Sequence, residues 1–214
     1  MTQKLLDLIS KKFPLTALPV GEMSTLKANG MTFSIQAYTA KGLGHVSVMT
    51  AKGFFGLMKM DTLIINPLAL DLPLYSYDRI YAMGNDTLIV ELYDTFLQKT
   101  DMQALESVKI GYADLPERDP GEHWYDSIKL KESISKKGKK AHTARFDELT
   151  IAHLQAYLDT SVNGANAEQK REKASIYVNG LLEKGGPSTD VFKKSIGVEK
   201  TAALFQNVLF GTKA

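Results

Sequence analysis

The sequence predicts an α+β domain in which one antiparallel sheet is covered by helices. Two observations lead there. Apolar and polar residues alternate with period two through the first half of the chain, and the spacing turns helical in the second half. Short turns separate the strands with no helix between them, which is the connectivity of an antiparallel meander. It argues against a doubly wound nucleotide-binding fold.

The elements follow in order. Leu5, Leu6, Ile9 and Phe13 fall at helical spacing, and Pro14 ends the pattern. From Met31 the sequence Met31-Thr-Phe-Ser-Ile-Gln-Ala-Tyr alternates as a strand. Gly42 and Gly44 make a turn into His45-Val-Ser-Val-Met-Thr, and Gly53 and Gly56 punctuate again. A strand from Leu57 to Ile65 ends at Asn66-Pro67, and Asp71 to Tyr75 is an extended connector. Asp78-Arg-Ile-Tyr-Ala-Met, the turn Gly84-Asn-Asp and Thr87 to Tyr93 read as a hairpin. Helices are expected over Met102 to Lys109, Phe146 to Leu158 and Ala174 to Leu182. Another should begin at Pro187-Ser-Thr with Ser188 or Thr189 as its cap and stop at Gly197, and a last one should run from Thr201 to Phe210. Trp124 to Ile134 reads as an amphipathic segment or an edge strand, and Lys129 to Lys140 as a basic, solvated loop or edge.

Composition removes several functions. At 214 residues and 44% hydrophobic content, the chain reads as a single domain, 1–214, with a core large enough to need no disulfide or metal. It has no cysteine, so thiol catalysis, Cys-ligated zinc and Cys-ligated iron–sulfur clusters are excluded. A net charge of +2 gives no field for nucleic-acid binding. The apolar stretch from Leu57 to Leu74 is broken by Lys59, Asp61, Asn66, Pro67, Asp71 and Pro73, so no bilayer span and no membrane partner is expected. Met1 to Leu15 lacks the unbroken apolar run of a signal peptide, and a cytoplasmic protein is expected. No dinucleotide fingerprint, phosphate loop or nucleophile elbow is present. His45, His123, His142 and His153 share no metal-ligand spacing, so no metal is expected.

Two stretches resemble the ferredoxin-dependent bilin reductases. The first is Asn66-Pro-Leu-Ala-Leu-Asp-Leu-Pro-Leu-Tyr-Ser-Tyr-Asp78-Arg-Ile-Tyr, followed by the turn and Thr87-Leu-Ile-Val-Glu-Leu-Tyr-Asp. The second runs from Gln169 to Phe210, with Tyr177, Thr189-Asp-Val-Phe-Lys-Lys-Ser-Ile-Gly-Val-Glu-Lys and the ending Phe205-Gln-Asn-Val-Leu-Phe. Together they cover about half of the chain in the family's order, which is more specific than any one motif. Trp124 lies between them, where the family often carries a tryptophan. The resemblance implies an α/β/α sandwich with a central antiparallel sheet, and no tightly bound cofactor. It further implies a linear tetrapyrrole as ligand and reduced ferredoxin as electron donor, with protons from pocket side chains.

The residues themselves leave two readings for each candidate. Asp78 shares a strand face with Ile80 and Ala82, where a carboxyl must be neutralised or hydrogen-bonded. It is either a proton donor, as the resemblance implies, or a turn cap. Asp61 is a second proton-handling residue or a solvated strand aspartate. His45 is a catalytic histidine or a strand-end histidine; the acid that some family members carry two residues on is Ser47 here. Tyr75, Tyr77, Arg79 and Tyr177 are the expected substrate contacts, Arg79 through bilin propionates. By alternation, however, Arg79 points away from the face of Asp78. Glu91 faces either the pocket or solvent, with solvent or a structural partner favoured. Lys136, Lys137, Lys139 and Lys140 are the expected docking site for an acidic ferredoxin. The alternative to catalysis is a non-catalytic protein of the same fold that binds a tetrapyrrole or another hydrophobic ligand.

Overall fold

A computed structural model of the chain describes residues 1–213. The order is α1 (Thr2–Ser10), β1 (Leu15–Leu18), β2 (Thr25–Ala28), β3 (Met31–Ala40), β4 (Gly44–Gly53), β5 (Met58–Pro67), β6 (Leu74–Ala82) and β7 (Asn85–Tyr93). There follow α2 (Gln103–Gly111), β8 (Ile134–Lys139), α3 (Thr143–Asp159), α4 (Ala167–Lys184), α5 (Pro187–Ile196) and α6 (Val198–Ala203). A π-helical turn, Leu204–Leu209, continues α6.

The strands form one sheet of eight, ordered β1-β3-β4-β5-β6-β7-β8, with β2 also pairing with β3. Every pairing is antiparallel. Period-two alternation divides the side chains between two cores. Leu63, Tyr75, Tyr77, Leu88 and Val90 pack against Leu5 and Ile9 of α1 and Phe146, Leu149 and Tyr157 of α3. Phe33, Met49, Ile64 and Tyr93 pack against Tyr177 and Val178 of α4, Phe192 of α5 and Phe205 and Leu209 near the C-terminus. The result is the expected three-layer sandwich.

The structure departs from the expected elements in several places, beginning with β1 and β2, since no strand is expected ahead of Met31. Residues 124–133 form no strand; they run as a loop with one short helical turn at Asp126–Ile128. The edge strand is β8, which lies inside the basic run and supplies the outer edge of β7 with its hydrogen-bonding partner. Helix α5 starts after Gly186 with no side-chain cap, and Thr189 instead donates its hydroxyl to the Gly186 carbonyl at 3.1 Å.

The last helical segment is held to the sheet by three buried polar side chains. Nε2 of His45 donates to the Val208 carbonyl at 2.8 Å, Oγ of Ser47 to Leu209 at 2.6 Å, and Nδ2 of Asn66 to Phe210 at 2.8 Å. A helix end leaves such carbonyls without partners of its own, so these bonds fix where the segment stops and how it sits over the sheet.

Candidate functional site

Between the sheet and the C-terminal helices lies a cavity of about 370 Å³. Its floor is built by register. Thr62 on β5, Asp78 on β6 and Ile89 on β7 are direct cross-strand neighbours, and Ile64, Ser76 and Glu91 form the next row. All six point to the same face and line the cavity. Met31, Phe33, Met49, Met58, Met60 and Ile80 extend the floor. Tyr177, Leu181, Phe192, Phe205, Leu209 and Phe210 make the roof. The connection between α2 and β8 closes one side with Arg118, His123 and Tyr125. A mostly apolar cleft with a few convergent polar groups, in the size range of small-molecule sites, is the usual form of a ligand pocket.

Asp78 is the central polar group. Oγ1 of Thr62 donates to its Oδ1 at 2.5 Å. Burial raises its pKa, the Thr62 hydrogen bond lowers it and the charge of Glu91 raises it; the outcome is a carboxyl pushed up to about 6. Such a group is populated in both protonation states near neutrality and can deliver a proton to a basic atom in the cavity. Glu91 accepts the Tyr93 hydroxyl at 2.6 Å, and Lys129 stands 4.0 Å from its other oxygen. His123 stacks on Tyr125 with ring centroids 4.9 Å apart, and its Nδ1 is buried without a hydrogen-bond partner among the described residues. Arg118 reaches Oγ of Ser135 at 3.2 Å and is the cation lining the cavity. Burial raises the hydroxyl pKa of Tyr93, Tyr125 and Tyr177, so these are neutral donors at neutral pH.

Of the residues expected from sequence, only Asp78 and Tyr177 line this cavity. Tyr75, Tyr77, Arg79 and Asp61 lie on the opposite face, which corrects their expected roles. The reason is parity: each sits one position out of phase with the cavity row. Tyr75 packs on Tyr157, and its hydroxyl stands 3.4 Å from Nδ1 of His153. Arg79 is fully buried in an ion pair with Asp86, with Asp147 at 3.5 Å. Asp61 pairs with the N-terminal amine at 3.1 Å. His45 also leaves the candidate list. Its pKa is lowered by burial, and it is committed to the Val208 carbonyl. Lys136 is corrected too: it points inward, and its Nζ binds the Leu115 carbonyl at 3.0 Å and the Glu117 carboxylate. Lys137, Lys139 and Lys140 are exposed.

Sequence reasoning missed Arg118 and His123 as cavity residues and favoured solvent over the pocket for Glu91. Glu91 was legible, since it alternates in phase with Ile89 and Tyr93. Arg118 and His123 sit on an irregular connection where no periodicity signals direction. Among the described residues, no cluster of three or more His, Cys, Asp or Glu is arranged to hold a metal, and no helix is long and apolar enough to cross a membrane.

No protein-family model and no curated protein matches the sequence. A solved structure does match: the crystal structure of selenomethionine phytochromobilin synthase from tomato in complex with biliverdin. Its TM-score is 0.77 at 15% sequence identity, over 99% of this chain and 82% of that one. At that identity the likeness is one of architecture, and it extends through all three layers. The chain has the bilin-reductase fold.

Proposed function

We propose that this protein binds a linear tetrapyrrole in the cavity between sheet and C-terminal helices, and reduces it with electrons from ferredoxin. The observation that carries the reading is Asp78, a carboxyl pushed up to about 6 on the floor of a largely apolar cavity. A linear tetrapyrrole matches that lining. It offers an extended apolar π-system for Met60, Ile80, Phe192 and Phe205, pyrrole nitrogens for a proton donor, and propionates for a cation. Arg118 takes the propionate role expected of Arg79, since a guanidinium can hold a carboxylate in two parallel hydrogen bonds. The solved structure of the same fold contains biliverdin, which supports the choice of ligand.

Reduction of one double bond needs two electrons and two protons. Ferredoxin would supply the electrons one at a time. Asp78 would give the first proton and regain one from solvent, and Glu91 and His123 add a second carboxyl and an imidazole to the cavity lining. The exposed Lys137, Lys139 and Lys140 would steer an acidic donor. Titration with biliverdin followed by absorbance tests the binding step. A one-to-one complex with a shifted bilin spectrum is expected; no spectral change and no thermal stabilisation would refute the reading. A binding-only role is the second reading. His45 is locked into the C-terminal segment and Asp61 faces away, so two of the three proton donors that the resemblance implies are not at the ligand. Bound bilin left unchanged by reduced ferredoxin would favour it.

A further inference from the structure

Two neighbouring loop tips expose large apolar side chains at one end of the sheet, apart from the reading above. Phe54, Phe55 and Leu57 lie on the β4–β5 connection, and Met83 on the β6–β7 hairpin. Met58 pairs with Ala82, so Leu57 and Met83 sit side by side just beyond the last pair. Relative exposure is 109% for Phe55, 71% for Leu57 and 91% for Met83, so the chain covers none of them.

The backbone makes these choices costly. Phe54, Phe55 and Met83 have φ of 52°, 56° and 51°, a left-handed region that disfavours bulky L residues. Met83-Gly84 is a two-residue hairpin loop in which both residues have positive φ, the setting that favours Asn-Gly. Local strain that burial does not repay points to a function for the side chain.

Charge identifies what the tips meet. On the face opposite the cavity, Lys27, Lys52 and Lys59 fall in one cross-strand row, with Lys52 directly opposite Lys59. Like charges so placed destabilise a sheet. All three are exposed, and none is in an ion pair among the described residues. Convex apolar tips flanked by unpaired lysines suit a surface that needs no shape complementarity and carries negative charge. We propose that this end of the sheet docks on an anionic lipid bilayer, with Phe55, Leu57 and Met83 inserted at the interface and the lysine row over the headgroups. No span is required. Met58 and Met60, next along β5, line the cavity, so docking would set that end of the cavity near the membrane.

The test is co-sedimentation of the full chain with phosphatidylcholine vesicles, with and without 30% phosphatidylserine. Binding is expected only to the anionic vesicles and should weaken with salt. The triple variant Phe55→Asn, Leu57→Ser, Met83→Asn places Asn where φ is positive, so it relieves strain. It should keep or raise the thermal midpoint while lowering partitioning by at least about tenfold, given the apolar area lost. Lys52→Gln with Lys59→Gln should lower it by about fivefold per lysine. Wild-type protein that stays in the supernatant, or a triple variant that binds as well as wild type, would overturn the proposal. So would light scattering showing that the tips drive self-association without vesicle binding, which would make them a contact between copies.

Discussion

Asp78 holds an energetic conflict that its setting does not relieve. Its carboxyl is pushed up to about 6, against 3.8 for an ordinary aspartate, chiefly by burial. Between those values the folded state binds more protons than the unfolded one, so the group costs stability as pH rises through the window. The full penalty, on the order of 1–3 kcal/mol, applies above about pH 6. Asp78→Asn should therefore be more stable than wild type at pH 7.5, and the advantage should vanish below about pH 4. Denaturant unfolding at pH 7.5 and 3.5 measures this, and an equal midpoint difference at both values would refute it. Asp78 was legible because Ile80 and Ala82 share its face. The partner roles given to Tyr75, Tyr77 and Arg79 failed on the same rule, since a residue one position away belongs to the other layer. Thr62 could be placed only once the strand register was known.

At the scale of elements, Trp124 packs against α4. A Cβ on Gly180 would stand 2.2 Å from Cη2 of Trp124. Nε1 of Trp124 donates to the Gly185 carbonyl at 3.1 Å, which ties the ring to the end of the helix. Alanine normally stabilises a helix interior by about 1 kcal/mol over glycine. Here the clash opposes it, and overpacking typically costs about 1–3 kcal/mol. Gly180→Ala should thus destabilise the protein and shift the emission of the single tryptophan; a stabilised variant with unchanged emission would refute the packing. A second fastening lies deeper in α4. Lys170 is fully buried, and its Nζ donates to the carbonyls of Leu72 at 2.5 Å and Thr95 at 2.7 Å, with Asp71 at 3.4 Å. Lys170→Met leaves these groups without their cation and should cost about 3–5 kcal/mol in denaturant unfolding. A change under 1 kcal/mol would contradict this account. The helices were visible as apolar spacing, whereas Lys170 gave no signal, because burial of a lysine depends on carbonyls far away in sequence. Strand β8 was hidden for a related reason: its lysines read as solvated, and its pairing with β7 is long-range.

For the whole molecule, two cores face the sheet from either side, and the C-terminal segment that roofs the cavity is pinned to β4 and β5. The first core contains His153, fully buried beside Tyr75, with its pKa lowered to about 4 by burial. Stability from this group is full above about pH 6.5 and is lost as pH falls toward 4, by up to about 3 kcal/mol. His45, also lowered by burial, acts in the same sense, while Asp78 acts in the opposite one. Comparing wild type with His153→Gln isolates the term: the variant should show a flatter loss of unfolding free energy between pH 7 and 4. One antiparallel sheet covered by helices follows from periodicity and helix order, whereas helices on both of its faces came from the family resemblance. Which face holds the cavity does not follow from either, because β4, β5, β6 and β7 each bury apolar side chains on both faces.

The account rests on proton delivery from Asp78 to a bilin bound in that cavity. Single-turnover absorbance under reduced ferredoxin, wild type against Asp78→Asn, tests it most directly. The variant should bind biliverdin, accept an electron and accumulate the one-electron-reduced bilin radical, with reduction slowed by about 10²–10⁴, the usual contribution of a general acid. Reduction at the wild-type rate, with no radical, would remove Asp78 from the mechanism.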